Sequence, residues 1–232
     1  MTQNITSMNM AYKNPVKVDI VFGFRGAGKT TLIKRMAEEI WEGERIVFLQ
    51  NEFGKENLSR ISLQSGWYVR DVQTGCICCN GAQLLAQTFF EIMEECRPDR
   101  IVLEAAETAR IESFQMLLEQ EATGMYELDH VLYVCNTGNF MKKMLISGRF
   151  LENELKQTPV IFLSHTEGLT EEKRDQILQT IERLAPDSTI VQKDWRYIPS
   201  QELQSAYESS RSIPTYERKN ILSAFAEFTY NE

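Results

Sequence analysis

The residues with the clearest capacity for chemistry are Gly23-Phe24-Arg25-Gly26-Ala27-Gly28-Lys29-Thr30. Their spacing fits the phosphate-cradling pattern Gly-x-x-x-x-Gly-Lys-Thr in full. Glycines let successive backbone N–H groups turn toward one anion without a Cβ clash. A helix that follows presents its unpaired N–H groups and positive dipole end to the same anion. Lys29 can reach the β- and γ-phosphates of a nucleotide, and the Thr30 hydroxyl can bind Mg²⁺. Arg25 stands where a hydrophobic residue is usual and reads as an exposed side chain more readily than as a phosphate contact. The segment Asp99-Arg100-Ile101-Val102-Leu103-Glu104 ends an apolar run on a carboxylate. Glu104 could orient Mg²⁺ through water, or be a solvated strand-end acid. Beside the cradle, the orienting role is favoured.

A second group is Gly75-Cys76-Ile77-Cys78-Cys79, which places three thiols within four positions. Deprotonated, Cys76, Cys78 and Cys79 can converge on one soft cation. Zn²⁺ would require a fourth ligand: a water, Glu52, or a group from a partner. Buried core cysteines and a redox or iron–sulfur role are the competing readings. The two histidines, His130 and His165, have no ligand spacing to the cluster. Cys96 and Cys135 read as small buried hydrophobes.

These groups need a scaffold, and the hydrophobic pattern supplies one. Short apolar runs alternate with longer amphipathic stretches, as in a parallel sheet with helical crossovers. Strands are expected at Val18-Phe22, Arg45-Gln50, Trp67-Val72, Arg100-Leu103, Val131-Val134, Val160-Leu163 and Thr189-Val191. Helices are expected at Thr30 to Trp41, Ala82 to Glu95 and Thr170 to Leu184, with a closing helix at Ile221 to Phe228. Asn51 to Ser65 is polar and reads as loop. Right-handed crossovers then make an α/β P-loop fold, a mostly parallel doubly wound sheet with helices on both faces. The expected organisation is a flexible segment 1–15, a nucleotide-binding domain 16–194, and an extension 195–232 packed on the same domain. Trp67-Tyr68 and Trp195-Arg196-Tyr197 read as core aromatics before partner surface.

The 232 residues allow one sizeable core. A net charge of -8 disfavours a nucleic-acid binder, which would carry a basic face. No apolar run reaches the ~20 residues of a membrane span, and no secretory apolar region marks the N-terminus. The five cysteines are odd in number and clustered, which fits the cytoplasm and metal or redox chemistry better than structural disulfides. A small-metabolite kinase would need an arginine-rich lid, and Arg97, Arg100 and Arg110 are too scattered to form one.

Taken together, 23–31, Gln-Asn-Glu-Phe-Gly at 50–54, Gly-Cys-Ile-Cys-Cys at 75–79 and Ile-Val-Leu-Glu at 101–104 resemble the CobW/UreG/HypB family of metal-related P-loop GTPases. The likeness is strongest to the CobW-like branch and covers roughly 16 to 192. The resemblance implies a Ras-like sheet and Mg²⁺-dependent binding of GTP, with ATP as the alternative. Slow hydrolysis would be coupled to delivery of Zn²⁺, another transition metal or a metal cofactor. The client would be a metalloprotein or cofactor-dependent enzyme, and a nucleotide-dependent homodimer is compatible with the family. No nucleic acid or membrane partner is expected. It places Gly26, Gly28, Lys29, Thr30 and Thr31 at the phosphates, and Gly23 and Ala27 complete the cradle. It puts Glu104 beside Mg²⁺, Glu52 in a switch segment near the metal, and Cys76, Cys78 and Cys79 on the metal. Lys29, Glu104 and Glu52 form the candidate catalytic set.

Three departures favour an alternative, a nucleotide- and metal-binding regulatory module without hydrolysis. Glu107 stands where the family has a Gly that lets the backbone approach the γ-phosphate. Unless it points away or meets a cation, its carboxylate would repel that phosphate. Ser59 stands in place of the switch Asp. Ser164-His165-Thr166-Glu167 stands where Asn-Lys-x-Asp should read guanine, leaving Glu167 as the candidate acceptor for the base. The tail after about Asp194 is also too short for the usual C-terminal domain of that branch.

Overall fold

A computed structural model describes residues 15–50, 67–71, 82–114 and 126–210. The element order is β1 (Val16–Phe22), α1 (Lys29–Glu39), β2 (Ile46–Gln50), β3 (Tyr68–Asp71), α2 (Ala82–Cys96), β4 (Arg100–Glu104), β5 (Tyr126–Asn136), α3 (Phe140–Lys156), β6 (Val160–Ser164), α4 (Glu171–Leu184), β7 (Thr189–Val191) and α5 (Ser200–Ser209). The strands form one seven-stranded sheet in the order β3-β2-β4-β1-β5-β6-β7. Every pairing is parallel.

The central strands are apolar on both faces because both are covered. Along β1, Val18, Ile20 and Phe22 join one buried cluster with Leu85 and Phe89 of α2, Leu151 and Leu155 of α3, and Ile177 and Ile181 of α4. Val21 joins the other, with Leu32, Ile33 and Met36 of α1, Trp41, Trp195, and Leu203 and Tyr207 of α5. Alternation along the strand thus selects which helix layer each side chain meets.

The expected strands and helices are present to within a few residues. β5 begins five residues earlier than its apolar run, at Tyr126, because its first half carries polar side chains. Two helices lie where none was expected. In α3, Met141, Leu145 and Ile146 are exposed, which blurs its apolar stripe. In α5, the polar run Ser200–Ser209 buries Leu203, Ala206 and Tyr207. Thr170 opens α4, its hydroxyl accepting the Lys173 N–H at 3.4 Å. The helix expected at Ile221 to Phe228 lies outside the described residues. Among the described residues, no helix is long and apolar enough to cross a membrane.

β1 is flanked by β4 and β5, both of later chain order, so the strand order reverses around it. In open α/β sheets the crevice past the carboxyl ends of such strands is where ligands bind. The loop 23–28 leaves β1 at that edge.

Candidate functional site

The cradle follows from local geometry. Gly23 has φ +138°, and a Cβ there would lie 2.3 Å from the Val134 carbonyl oxygen. Only glycine allows the loop to leave β1 so close to β5. Gly28 has φ +100° and precedes α1 without a capping side chain. A Cβ on it would lie 3.2 Å from the Trp195 ring. No side chain caps the start of α1, and its dipole favours an anion there.

Lys29 is 3% exposed. Its Nζ donates to the carbonyls of Gly23 (2.9 Å) and Phe24 (3.4 Å), which folds the side chain back along the loop it serves. The Thr30 Oγ1 lies 2.9 Å and 2.8 Å from the two carboxylate oxygens of Glu104. Register explains this approach, since Val21 pairs with Glu104 and sets the end of β4 beside the loop. The hydroxyl and carboxylate converge as hard oxygen donors, the chemistry Mg²⁺ requires. Thr30 and Glu104 would hold that ion, and Mg²⁺ there would neutralise phosphate charge. Thr31 lies exposed on the first turn of α1, and Arg25 is exposed as expected.

Two strand ends brace the loop. Asn136 Nδ2 donates to the Gly26 carbonyl (3.3 Å), and Ser164 Oγ donates to the Ala27 carbonyl (2.7 Å). Ser164 therefore holds the cradle from behind. Its neighbour His165 adopts φ +55°, with Nδ1 3.0 Å from Ser164 Oγ. Thr137 Oγ1 fixes this turn by donating to the carbonyls of Ser164 (2.9 Å) and His165 (2.8 Å).

Glu107 meets a cation. Lys143 Nζ on α3 donates to its Oε1 at 2.5 Å, and the Arg25 N–H donates to its Oε2 at 3.3 Å. Burial opposes ionisation, but Lys143, that N–H and the Lys29 charge outweigh it and hold the carboxyl below its usual range. The same ammonium lies 4.2 Å from the Phe24 ring centroid. Phe24 also packs on Phe150 of α3, at 6.3 Å between centroids.

Glu167 is exposed and engaged. Arg196 Nη2 donates to Glu167 at 3.3 Å and to Asp194 at 2.6 Å. Asp194 and Arg196 belong to the turn after β7, which Arg35 of α1 ties down by donating to the carbonyls of Trp195 and Ile198. Trp195 is buried while Tyr197 is 73% exposed, so that aromatic stretch divides between core and surface. Similarly, Trp67 packs on Phe48 at 5.3 Å and Tyr68 is exposed.

Glu52, Ser59, Cys76, Cys78 and Cys79 lie outside the described residues. Cys135 is buried and its thiol is pushed up to about 12 by burial. Cys96 is half-buried, and burial raises its thiol too.

A different charged cluster forms at the opposite end of the sheet. Arg100 is 2% exposed and Asp19 fully buried. Arg100 Nη1 donates to Asp19 (2.7 Å), Asp129 (3.2 Å) and the Tyr207 hydroxyl (2.8 Å), while its Nε donates to Glu44 (2.6 Å). A register shift in β5 sets Asp19 opposite His130 and leaves Asp129 as the extra residue, so both reach the cluster. His130 Nδ1 lies 3.3 Å from Asp19 and 3.3 Å from Asp129. Burial acts to lower the His130 pKa, but the two carboxylates outweigh it and raise it. Arg100 supplies the cation among these carboxylates, so the cluster is a closed ion-pair network. Arg100, expected to be a scattered, solvated or strand-flanking arginine, flanks the strand but is buried by these partners rather than solvated. An isolated Asp in the apolar run Val16–Phe22 was the signal for its burial.

The sequence model of the CobW/HypB/UreG nucleotide-binding domain matches residues 17–192. The zinc chaperone YjiA of Escherichia coli is 30% identical over 97 residues, 39% of this chain and 30% of that protein. The zinc-regulated GTPase metalloprotein activator 1 of Schizosaccharomyces pombe is 25% identical over 183 residues, 72% of this chain and 43% of that protein. The chain thus spans less than half the length of these curated relatives. Among solved structures, Zn(II)-bound YjiA GTPase from E. coli superposes with a TM-score of 0.60 at 20% identity, covering 85% of this chain and 63% of that one. Hydrogenase maturation factor HypB from Archaeoglobus fulgidus gives 0.58 at 15% identity, covering 88% and 92%. At these identities the structures establish the fold. The family match runs from β1 through β7, and the chain belongs to the CobW/HypB/UreG family through its nucleotide-binding domain.

Proposed function

We propose that this protein binds a nucleoside triphosphate with Mg²⁺, hydrolyses it slowly, and couples the cycle to delivery of a transition metal to a client protein. The observation that carries this reading is the convergence of Thr30 and Glu104 beside a phosphate loop backed by Lys29. Loop amides and the α1 N-terminus bind the phosphates, Lys29 reaches their bridging oxygens, and Thr30 with Glu104 holds Mg²⁺. Gly23, Gly26, Ala27, Gly28 and Thr31 complete the phosphate site. Glu52 is the candidate switch residue.

The cargo is Zn²⁺, taken up by the thiolates of Cys76, Cys78 and Cys79 with Glu52 as a fourth ligand. Relatives named as zinc chaperones support this choice. Guanine is the favoured base, with Glu167 accepting from its N1 and N2 hydrogens once Arg196 releases it. The client is a metalloprotein or a cofactor-dependent enzyme, met in the cytoplasm by a nucleotide-dependent dimer. Residues 16–194 form the nucleotide domain, with 195–232 as an extension of it.

Metal and nucleotide must affect each other reciprocally if they are coupled. Zn²⁺ titrations with no nucleotide, with GDP and with a GTP analogue are expected to give different affinities. Binding should be lost in a Cys78→Ala, Cys79→Ala variant. Equal Zn²⁺ affinity in all three states would remove the coupling.

A second reading, a binding module without turnover, is favoured by the Glu107 carboxylate lying on the loop amide of Arg25. Phosphate release with Mg²⁺ separates the two. Turnover that disappears in Lys29→Ala excludes the second reading, and no turnover with or without Zn²⁺ excludes the first.

A further inference from the structure

The segment after β4 runs along the phosphate loop. At its start Glu104 accepts from Thr30, at 2.8–2.9 Å. Three residues later Glu107 accepts the Arg25 N–H at the other end of the loop, at 3.3 Å. Loop N–H groups are the donors that such a loop offers to phosphate oxygens. One of them already holds an anionic oxygen from within the chain.

That oxygen sits among the charges a terminal phosphate would seek. Lys29, which reaches the β- and γ-phosphates, acts on the Glu107 carboxylate. Lys143 donates to its other oxygen at 2.5 Å. Thr30 and Glu104 would hold a Mg²⁺ that neutralises phosphate charge, which would set a terminal phosphate on the side of the loop next to the end of β4. Glu107 occupies that side. Two anions cannot share those donors without strong repulsion.

We propose that Glu107 is a built-in occupant of the terminal-phosphate position, so that the protein takes a nucleoside diphosphate readily and a triphosphate only when the Glu107–Lys143 pair is displaced. The inference rests on the nucleotide reading above and adds to it a preference between phosphate chain lengths. Lys143 has a defined part in each state. At rest it neutralises Glu107, and when Glu107 swings out its ammonium is released toward the incoming γ-phosphate. It is held in place by the Phe24 ring beneath it, 4.2 Å from the centroid. Lys143 thereby connects the phosphate chain length to α3, whose outer face exposes Leu145 and Ile146.

The test is a calorimetric titration of the full chain with Mg²⁺. The ligands are the diphosphate and the non-hydrolysable triphosphate analogue of guanosine and of adenosine. The readout is the ratio of triphosphate to diphosphate affinity for whichever base binds. In the unaltered protein the ratio is expected at or below one-tenth, about 1.4 kcal/mol. Glu107→Gln keeps the shape and removes the charge, and should raise the ratio at least tenfold. Glu107→Gly should do the same. Lys143→Met leaves the carboxylate without its ammonium and should lower the ratio at least threefold. A purely structural role for the pair would shift both nucleotides together in each variant. A ratio that stays within threefold across all four proteins overturns the inference and leaves the nucleotide reading standing. Failure of every nucleotide to bind overturns both.

Discussion

The two ends of β4 carry charge in contrasting ways. Arg100 opens the strand and Glu104 closes it, four residues and about 13 Å apart. Around Arg100 the carboxylates of Asp19, Asp129 and Glu44 are matched by the guanidinium and by His130, and the Tyr207 ring stacks on His130 at 3.8 Å. Around Glu104 the Thr30 hydroxyl donates to the carboxylate, and Lys29 donates to the carbonyls of the loop where β1 ends. Both ends hold titratable groups in close contact. The first has its cation built in, and the second has the geometry to receive one. Clustered carboxylates therefore do not mark a metal site unless what already balances them has been counted.

The largest predicted effect separates these ends. Arg100→Leu leaves Asp19 buried without its guanidinium and should cost about 3–5 kcal/mol of stability. Melting should fall by roughly 6–20 °C. Nucleotide affinity of the folded fraction, read by titration below the melting range, should stay within about threefold. A large loss of affinity at intact stability would mean that the two ends are coupled.

A comparison of two carboxyls, half-buried Asp129 and buried Glu154, sharpens the point. At Asp129 burial raises the pKa, but His130 and Arg100 outweigh it and bring it down to about 2. At Glu154 burial dominates, opposed by the Ile111 N–H and reinforced by Glu112, and pushes it up to about 7. The signs are opposite. The Asp129 contribution is present above pH ~3.9 and lost as pH falls toward 2. Glu154 is protonated in the folded state at pH values where the unfolded chain has ionised. Its contribution is full below pH ~4.3 and lost as pH rises toward 7. Over that window it amounts to roughly 3–4 kcal/mol. Denaturant unfolding of Glu154→Gln at pH 5 and 7.5 should show a smaller decline with pH than the unaltered chain. An identical decline would mean that Glu154 ionises freely.

The smallest effect concerns the brace. Ser164→Ala removes the donor to the Ala27 carbonyl and should cost about 1 kcal/mol, read as a several-fold loss of nucleotide affinity with little change in melting. Unchanged affinity would make that hydrogen bond incidental to the cradle.

These contrasts also explain what could be read from residues alone. The phosphate loop was legible because its function constrains local spacing, from Gly23 to Thr30. The strands were legible because both faces of the sheet are covered, so their cores are continuous apolar runs such as Ile46–Gln50 and Val160–Ser164. The helix α5 was not, since its stripe of Leu203, Ala206 and Tyr207 is interleaved with polar residues over only ten positions. The Arg100 network was hidden because its members are scattered from Asp19 to Tyr207, and only the sheet register brings them together. Ser164 could be read as a departure from guanine recognition but not as a brace, because its partner, the Ala27 carbonyl, belongs to no sequence pattern.

The central claim is that the loop 23–30 grips the phosphates of a nucleotide. Titration of GDP and ADP into the protein with Mg²⁺, alongside Lys29→Ala, tests it most directly. The account predicts one saturable site per chain and a loss of about 100-fold or more in the variant, near 2.7 kcal/mol. Binding of equal strength in both proteins, or none at millimolar nucleotide, would contradict it.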